Sequence, residues 1–291
     1  MKEICLKNTT TNQEILSATF FPELGMNLAH LKKGDLDVMD QSSKKAFLQR
    51  FSGLGPLIGP HFFRMEEDLV VKPLRTDLFP HIQEVLRRGQ KDPFSHGIAR
   101  YVPWNYVHKG NTIEAQLSGN DRYQGAFLKD LEGYDFSMEF RACLAPDGLE
   151  ISMSVEADRE CVCGLHYYYA LEQKKGAIIA PVQPSYNDGG IFKPIPQAWL
   201  AEDNEFLRFN LENFADYGFL PLFENASSWV LLETGSTRLR VSYQGDREKI
   251  SCQIYSPKGA DFVCIEPISA KNPRRLDGNK STFSAKISIE S

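Results

Sequence analysis

The chain has 291 residues, of which 42% are hydrophobic, so it is long enough to bury one large core or two small ones. Its net charge of −5 argues against a broad surface for nucleic acid. There is no apolar run long enough to cross a bilayer, and the first residues are too polar for a signal peptide. We therefore expect a cytoplasmic protein with neither nucleic-acid nor membrane partners.

The first 64 residues read as short strands and loops. Residues 14–21 and 34–39 have strand character between Gly, Pro and Asp turns, and the polar residues 40–50 predict a loop with a helical turn. Residues 53–64, GLGPLIGPHFFR, combine glycines and prolines with apolar residues and end in Arg64. This pattern predicts a stiff loop, which either shapes a pocket wall or is an ordinary buried connection.

A single convincing helix and a histidine loop follow. Residues 77–89 place Ile82, Val85 and Leu86 at helical spacing, with Pro80 suited to a first turn. The next segment, DPFSHGIAR at 92–100, holds His96 among turn-forming residues. A histidine beside a glycine in a loop is able to face a ligand, although a lone histidine is more often structural.

From residue 104 onward the chain has β character. Residues 136–157 alternate apolar and polar side chains on both sides of APDG, which predicts a hairpin. The region 181–221 is rich in Pro, Asn, Asp and Gly and predicts a long loop over a sheet. Further strands are expected at 112–118, 162–171, 229–234, 238–243, 250–255, 261–266 and 283–290.

This pattern determines the predicted fold class. Strands do not alternate with long helices, which disfavours a parallel α/β sheet. We predict an all-β protein, a large antiparallel β-sandwich with one or two short helices, formed by a single domain over residues 1–291. Functional side chains should then lie in loops and on one concave sheet face.

The stretch GLHYYYAL at 164–171 places His166 and Tyr168 on one face of a predicted strand. Cys161 and Cys163 would share the other face, which argues against a metal site made of these cysteines and His166. Structural zinc also needs a fourth ligand, and none is evident. We predict no metal site, and we expect the six scattered cysteines to be buried free thiols in a reducing compartment.

The stretch FVCIEP at 262–267 places Glu266 where an apolar strand emerges. A carboxylate there is costly unless it is paired or used, so Glu266 is either a general base at a cavity rim or a solvated strand-end residue. Pro267 follows directly and is expected to end the ladder of the strand.

These stretches together resemble motifs of the aldose 1-epimerase, or galactose mutarotase, family. GLGPLIGPHFFR is similar to its Gly/Pro-rich segment ending in Arg, and SHGIAR to its HGFAR-type motif. GLHYYY resembles its GxHPYF motif, and CIEP its C-x-E-P motif. The four motifs occur in the family's order, and the resemblance runs from the first strands to Pro267.

The resemblance implies a galactose mutarotase-like supersandwich that interconverts the anomers of a hexose or a hexose 6-phosphate. It implies that Arg64 and His96 hold sugar hydroxyls, that His166 is the general acid and that Glu266 is the general base. A further family Asp is placed at Asp216. The expected partner is a small sugar or sugar phosphate, the expected assembly is a monomer or homodimer, and neither a metal nor an organic cofactor is required.

The sequence also departs from the family motifs. Phe63 stands where Asn often precedes the Arg, Ile98 replaces the Phe of HGF, and Tyr167 replaces the Pro after the second His. These changes leave the sugar open, and a phosphate clamp is one reading of four basic residues: Arg64, Lys72, Arg75 and Arg100. The alternatives to an enzyme are a carbohydrate-binding or sensor protein of the same fold, and an interaction protein whose histidines lie in the core.

Overall fold

The computed structural model describes residues 2–64, 78–87, 92–201, 206–222, 227–246 and 249–290. The side chains of residue 80 and of residues 84–86 are not described. Within these ranges, no helix is both long enough and apolar enough to span a membrane.

The described residues form twenty-three strands and three α-helices, with five short 3-10 turns between them. The strands are β1 (Ile4–Thr9), β2 (Ile15–Phe21), β3 (Asn27–Lys33), β4 (Leu36–Asp37), β5 (Leu57–Ile58), β6 (Asn105–Lys109), β7 (Thr112–Ser118), β8 (Arg122–Tyr123), β9 (Ala126–Phe127), β10 (Phe136–Ala145), β11 (Gly148–Ala157), β12 (Gly164–Leu165), β13 (Tyr167–Ala170), β14 (Ala177–Ala180), β15 (Val182–Asp188), β16 (Ile191–Pro194), β17 (Leu207–Asn210), β18 (Ala215–Pro221), β19 (Ser227–Thr234), β20 (Thr237–Gly245), β21 (Ser251–Ser256), β22 (Phe262–Ile268) and β23 (Lys280–Glu290). The helices are α1 (Lys44–Arg50), α2 (Pro80–Arg87) and α3 (Leu128–Glu132).

Two large antiparallel sheets carry most of these strands. The nine-stranded sheet has the order β17-β14-β19-β20-β23-β11-β10-β7-β6. The eight-stranded sheet follows the path β16-β15-β18-β21-β22-β12-β5, with β13 also paired to β22. The strands β1 to β4 form a separate four-stranded sheet, and β8 pairs with β9. The predicted all-β antiparallel sandwich with few helices is confirmed.

The inner faces of the two large sheets contribute to one hydrophobic core. Phe140 and Val241 of the nine-stranded sheet belong to the same buried cluster as Tyr167 and Ile254 of the eight-stranded sheet. Successive side chains of a strand point to opposite faces, so the burial of Tyr167 and Tyr169 leaves Tyr168 on the outer face. This alternation determines which side chains of the eight-stranded sheet are able to reach a ligand.

Two predicted elements are confirmed closely. The hairpin of β10 and β11 pairs Ala145 with Gly148, leaving a two-residue turn at the predicted place, and its inward side chains are buried. The predicted helix over 77–89 is α2, which begins at Pro80 as expected. Its expected stop, Gly89, lies outside the described residues.

Of three predicted local features, one is confirmed in part and two are wrong. The loop with a helical turn expected over 40–50 does contain helical structure, but more of it than one turn: the Asp40 side chain accepts hydrogen bonds from the Ser42 and Ser43 N–H groups and so starts a helical turn, and α1 follows. The loop expected over 181–221 holds β15 to β18, and two of its Gly residues form the turn between β15 and β16, where Gly189 has a φ of 60° and Gly190 a φ of 96°.

The third concerns Pro267, which does not end the ladder. Strand β22 continues to Ile268, which pairs with Gly164 of β12, while Ile265 pairs with Tyr167 of β13. Counted in the same register, Pro267 lies opposite Leu165 of β12, next to the gap that His166 forms between β12 and β13, and it pairs with Cys252 of β21 on its other side.

Candidate active site

His166 and Glu266 meet at this gap in the eight-stranded sheet. His166 is the single residue between β12 and β13, and Glu266 lies on β22, between the residues that pair with the two strands. The Nε2 atom of His166 is 3.2 Å from the Oε1 atom of Glu266. Both side chains are almost completely buried, so they contact each other with little surrounding water.

Tyr168 supports His166 on the same face. The two rings are stacked with centroids 5.2 Å apart, while Tyr167 points into the core. The backbone N–H of His166 also donates to the Pro56 carbonyl at 3.0 Å. The imidazole is thus held by β13 on one side and by the 53–64 segment on the other.

His96 enters the same pocket from its loop, and its ring centroid is 4.9 Å from that of His166. The residue has a φ of 70°, an uncommon left-handed conformation for a non-glycine residue. Its backbone N–H donates to the Phe62 carbonyl at 2.7 Å, and its Nδ1 lies 3.2 Å from the same oxygen. Because a carbonyl only accepts, Nδ1 must carry a hydrogen, which leaves Nε2 of the neutral ring as an acceptor.

The residue after His96, Gly97, has to be a glycine for steric reasons. Its φ is 83°, and a Cβ atom placed there would lie 1.9 Å from the Gly59 carbonyl oxygen. The Ala99 N–H donates to that same oxygen. The His96 loop is therefore pressed against the 53–64 segment, and only glycine fits at the contact.

Burial governs the protonation of the site. It raises the pKa of Glu266 to about 8, with a smaller increase from the charge of Asp216 and an opposing effect from Arg100. Burial, followed by the charges of His96 and Arg100, holds the pKa of His166 well below its usual value. Near neutral pH the pair therefore holds one dissociable proton between its two members.

Arg100 is the cation behind this pocket. It is buried, and its Nη2 donates to the Phe51 carbonyl at 2.9 Å. Burial and then the charge of Arg100 lower the pKa of His96 to about 3, so His96 is neutral at physiological pH. The observed partner of Arg100 is a backbone carbonyl at the rear of the site, which does not support its predicted part in a phosphate clamp.

Asp216 lies on the same face of the sheet as Glu266, further along. It pairs with Tyr255 of β21, which pairs with Cys264 of β22, two residues before Glu266. Its side chain is exposed at the outer part of this face. Partial loss of solvent around its carboxyl group raises the pKa of Asp216, and the charge of Arg274 opposes that increase.

Gln253 is a candidate that our sequence reasoning missed. It pairs with Glu266 on one side and with Gly218 on the other, so its half-buried side chain lies between Glu266 and β18. A Cβ atom at Gly218 would come within 2.5 Å of the Gln253 Nε2 atom, so the glycine leaves room for the amide. Only the pairing of β21 with β22, which no local motif encodes, reveals this position.

Arg64 is placed differently from the prediction that it faces a sugar. Its guanidinium donates to the buried carboxylate of Glu132 and lies 5.2 Å from the centre of the Tyr134 ring. Its backbone N–H donates to Asp92 at 3.1 Å. The structure thus brings His96, His166 and Glu266 together, with Asp216 further out on the same face. Arg64 lies instead in a separate charge cluster. Lys72 and Arg75 lie outside the described residues.

The described residues offer one group able to surround a metal ion: His166, Cys264 and Glu266, whose ligand atoms lie within 4.8 Å of one another. Two of these atoms already contact each other, and burial raises the pKa of the Cys264 thiol well above its usual value. The nearby positive charge of Arg100 also opposes a divalent cation. The thiols of Cys161 and Cys163 donate instead to the Val155 and Ser281 carbonyls, and all six cysteines are free.

Several solved structures match this chain over the whole β-sandwich. The protein Slr1438 from Synechocystis sp. PCC 6803 has a TM-score of 0.68 and 15% identity, and the match covers 100% of this chain and 96% of that one. A galactose mutarotase-like protein from Lactobacillus casei ATCC 334 has a TM-score of 0.66 and 16% identity, with 99% and 100% covered.

A galactose mutarotase related enzyme from Lactobacillus acidophilus has a TM-score of 0.65 and 15% identity, covering 100% of this chain and 98% of its own. The fold is that of the galactose mutarotase-like proteins. No family model and no curated protein sequence matches the chain. The galactose mutarotase-like fold is therefore shared at a level of identity where the sequences have largely diverged.

Proposed function

We propose that this protein is an aldose 1-epimerase, which interconverts the α and β anomers of a hexose by ring opening and closure. The observation that carries the proposal is the buried contact of 3.2 Å between His166 Nε2 and Glu266 Oε1. Anomerisation needs a group that accepts a proton and a group that donates one, and this contact supplies both with one proton in total. The galactose mutarotase-like fold supports the same reaction class.

The chemistry balances with these two side chains. With the single proton of the pair on His166, the Glu266 carboxylate accepts the proton of the sugar O1 hydroxyl while His166 donates its proton to the ring oxygen O5. The C1–O5 bond breaks, its electron pair goes to O5, and C1 and O1 form an aldehyde. After rotation about the C1–C2 bond, the same steps run in reverse and close the other anomer. Each positioned proton transfer typically contributes about 10²–10⁴-fold.

The contact between the pair has a consequence for substrate binding. The anomeric carbon and its two oxygens have to lie between the two side chains, so the direct His166–Glu266 contact opens when a sugar binds. The sugar oxygens replace that contact, and the proton moves from Glu266, where it rests, to His166, which donates it to O5. The pair therefore stores the catalytic proton in a buried contact until a sugar separates the two groups.

Sugar binding is assigned to the side chains around the pair. His96, neutral and with its Nε2 free to accept, is placed to receive a hydroxyl hydrogen. Gln253 and Asp216 extend this polar face away from Glu266. Arg64 is paired with Glu132, and Arg100 donates to the Phe51 carbonyl, so neither contact supports binding of a sugar 6-phosphate. We therefore take the free hexose as the first substrate to test and the hexose 6-phosphate as the second.

Polarimetry of freshly dissolved α-D-glucose and α-D-galactose, and of glucose 6-phosphate, tests the proposal. The wild-type protein should bring at least one of them to equilibrium faster than buffer alone. Glu266→Gln should reduce that acceleration by at least about 10²-fold, because it removes the base, whereas Glu139→Gln on the nine-stranded sheet should not. Sugar binding without acceleration would assign the alternative role of a sugar-binding protein.

A further inference from the structure

A buried cluster of four charges lies beside the His96 loop and takes no part in the proposed chemistry. It consists of His61, Arg64, Asp92 and Glu132. His61, Asp92 and Glu132 are nearly or fully buried, and Arg64 is mostly so. Isolated charges buried this deeply would lower the stability of the fold, so the presence of four of them together needs a physical reason.

The geometry of His61 determines its charge. Its Nδ1 lies 2.5 Å from Glu132 Oε1, and its Nε2 lies 3.1 Å from Asp92 Oδ2. Carboxylate oxygens only accept, so both ring nitrogens must donate, and only the imidazolium form has two N–H groups. Arg64 pairs with the same Glu132 carboxylate. The four residues then carry two positive and two negative charges.

The two carboxylates of the cluster reach the His96 loop on both sides of His96. Asp92 Oδ1 accepts from the Phe94 N–H at 3.0 Å, two residues before the histidine. Glu132 Oε2 accepts from the Ile98 N–H at 3.2 Å, two residues after it. A strained left-handed residue persists only where its surroundings hold it, and these bonds hold the chain on either side of His96.

The cluster also fixes the partner of the His96 ring. His61 immediately precedes Phe62, whose carbonyl accepts both from the His96 N–H and from His96 Nδ1. Anchoring the His61 ring at both nitrogens therefore fixes the carbonyl that sets the His96 tautomer. Three connections thus run from the cluster to one ligand-facing imidazole.

We infer that His61 is a charged positioning residue, whose imidazolium joins Asp92 and Glu132 and so holds the His96 loop with Nε2 facing the sugar. Although burial opposes it, the charges of Glu132 and Asp92 raise the pKa of His61 above its usual value, in agreement with the geometry. The charged groups facing the ring are Asp92, Glu132 and Arg64. The charge state of His61 does not depend on the proposed function, whereas the effect of His61 on sugar binding rests on it.

The first experiment measures ¹⁵N and ¹H side-chain resonances of the histidines in the wild-type protein between pH 6 and 9. His61 should carry protons on both nitrogens at pH 7, whereas His96 should carry one, on Nδ1. A singly protonated His61 at pH 7 overturns the inference, whatever the protein does to sugars. This arm needs no substitution and no sugar.

The second experiment compares His61→Gln with His30→Gln. His30 also contacts a carboxylate, with Nδ1 2.6 Å from Asp37 Oδ2, but it lies in the four-stranded sheet and makes no described contact with the site. His61→Gln should raise KM, or Kd for the sugar, about tenfold or more, as expected when a buried charged hydrogen bond that places a ligand group is lost. It should change kcat less, and it should shift the His96 Nδ1–H resonance.

His30→Gln should change neither KM nor that resonance, even if it lowers the melting temperature. An unchanged KM in His61→Gln, or an equal change in both variants, would overturn the positioning role. If His61→Gln does not fold, the wild-type titration still decides the charge state. If wild-type protein fails to accelerate anomer exchange, the proposed function fails, and the resonances of His61 still decide the inference.

Discussion

The Phe62 carbonyl oxygen accepts two hydrogen bonds from His96, one from its backbone N–H at 2.7 Å and one from its ring Nδ1 at 3.2 Å. One residue of the Gly/Pro-rich segment thereby determines both the backbone position and the tautomer of a residue in another loop. The two loops are in contact along this line, and their sequences have to fit each other for the Nε2 atom of His96 to be placed.

Gly97→Ala tests how tightly the two loops fit. A Cβ atom there would overlap the Gly59 carbonyl at 1.9 Å, so the loop carrying His96 has to move. We expect a loss of unfolding free energy larger than the strain of about 1–2 kcal/mol that a left-handed alanine costs by itself, together with a higher KM. Gly110→Ala is the matched control, because its φ is 60° and its Cβ would have no neighbour within 4 Å. Equal losses in urea unfolding for the two variants would contradict the close fit.

Gly218→Ala tests the placement of Gln253. The new Cβ would come within 2.5 Å of the Gln253 amide nitrogen, which sits at the end of a flexible side chain and is able to turn away. We therefore expect little change in stability but a higher KM, matching the direction of Gln253→Ala. Gln244→Ala on the other sheet is the control for the amide deletion. If KM is unaffected in both the Gly218 and the Gln253 variants, the amide does not contact the sugar.

Glu266→Gln should change how stability depends on pH. The folded-state pKa of Glu266 is about 8, above the ordinary glutamate value of 4.5, so the folded state binds the proton more tightly than the unfolded state does. The resulting stabilisation is fully present below pH 4.5 and is lost as the pH rises to about 8. Glutamine cannot ionise, so the variant does not lose this stabilisation. The melting temperature of the variant minus that of the wild type should therefore increase between pH 5 and pH 9.

The exposed substitution Glu139→Gln serves as the reference for that comparison. Its difference in melting temperature from the wild type should stay nearly constant over the same pH range. A Glu266→Gln difference that is equally flat would show that the buried carboxylate ionises without a penalty in the folded protein, which would remove the basis for a stored proton.

Local patterns predicted those parts of the structure that depend on near neighbours. Strict alternation over 136–157 predicted the β10–β11 hairpin, because one face of each strand is buried. The predicted shared face of His166 and Tyr168 follows from the same period of two and agrees with their stacked rings. Pairing His166 with Glu266 required the family resemblance, since the two residues are 100 positions apart.

Other features depended on pairings that the local sequence does not contain. His61 meets Glu132 across 71 residues and Asp92 across 31, so the charge cluster that takes Arg64 away from its predicted role had no local signal. The strands within 181–221 were missed because Pro, Asn, Asp and Gly are frequent in this region and because a bulge between Val182 and Tyr186 interrupts the pairing. Pro267 was misread because the strand continues past it through the pairing of Ile268 with Gly164 and with Ser251, which are distant in the sequence.

The pH dependence of kcat/KM for anomer exchange tests the central claim most directly, because this quantity reports the protonation of the free enzyme. The active pair holds one proton. Activity should fall at alkaline pH with a midpoint at about 8, where Glu266 loses that proton, and at acid pH only well below 6.5, where His166 gains a second. A bell-shaped profile with these two limits supports a His166–Glu266 pair that exchanges one stored proton with the sugar. A rate that keeps rising above pH 8, or an acid limit near 6.5, would contradict it.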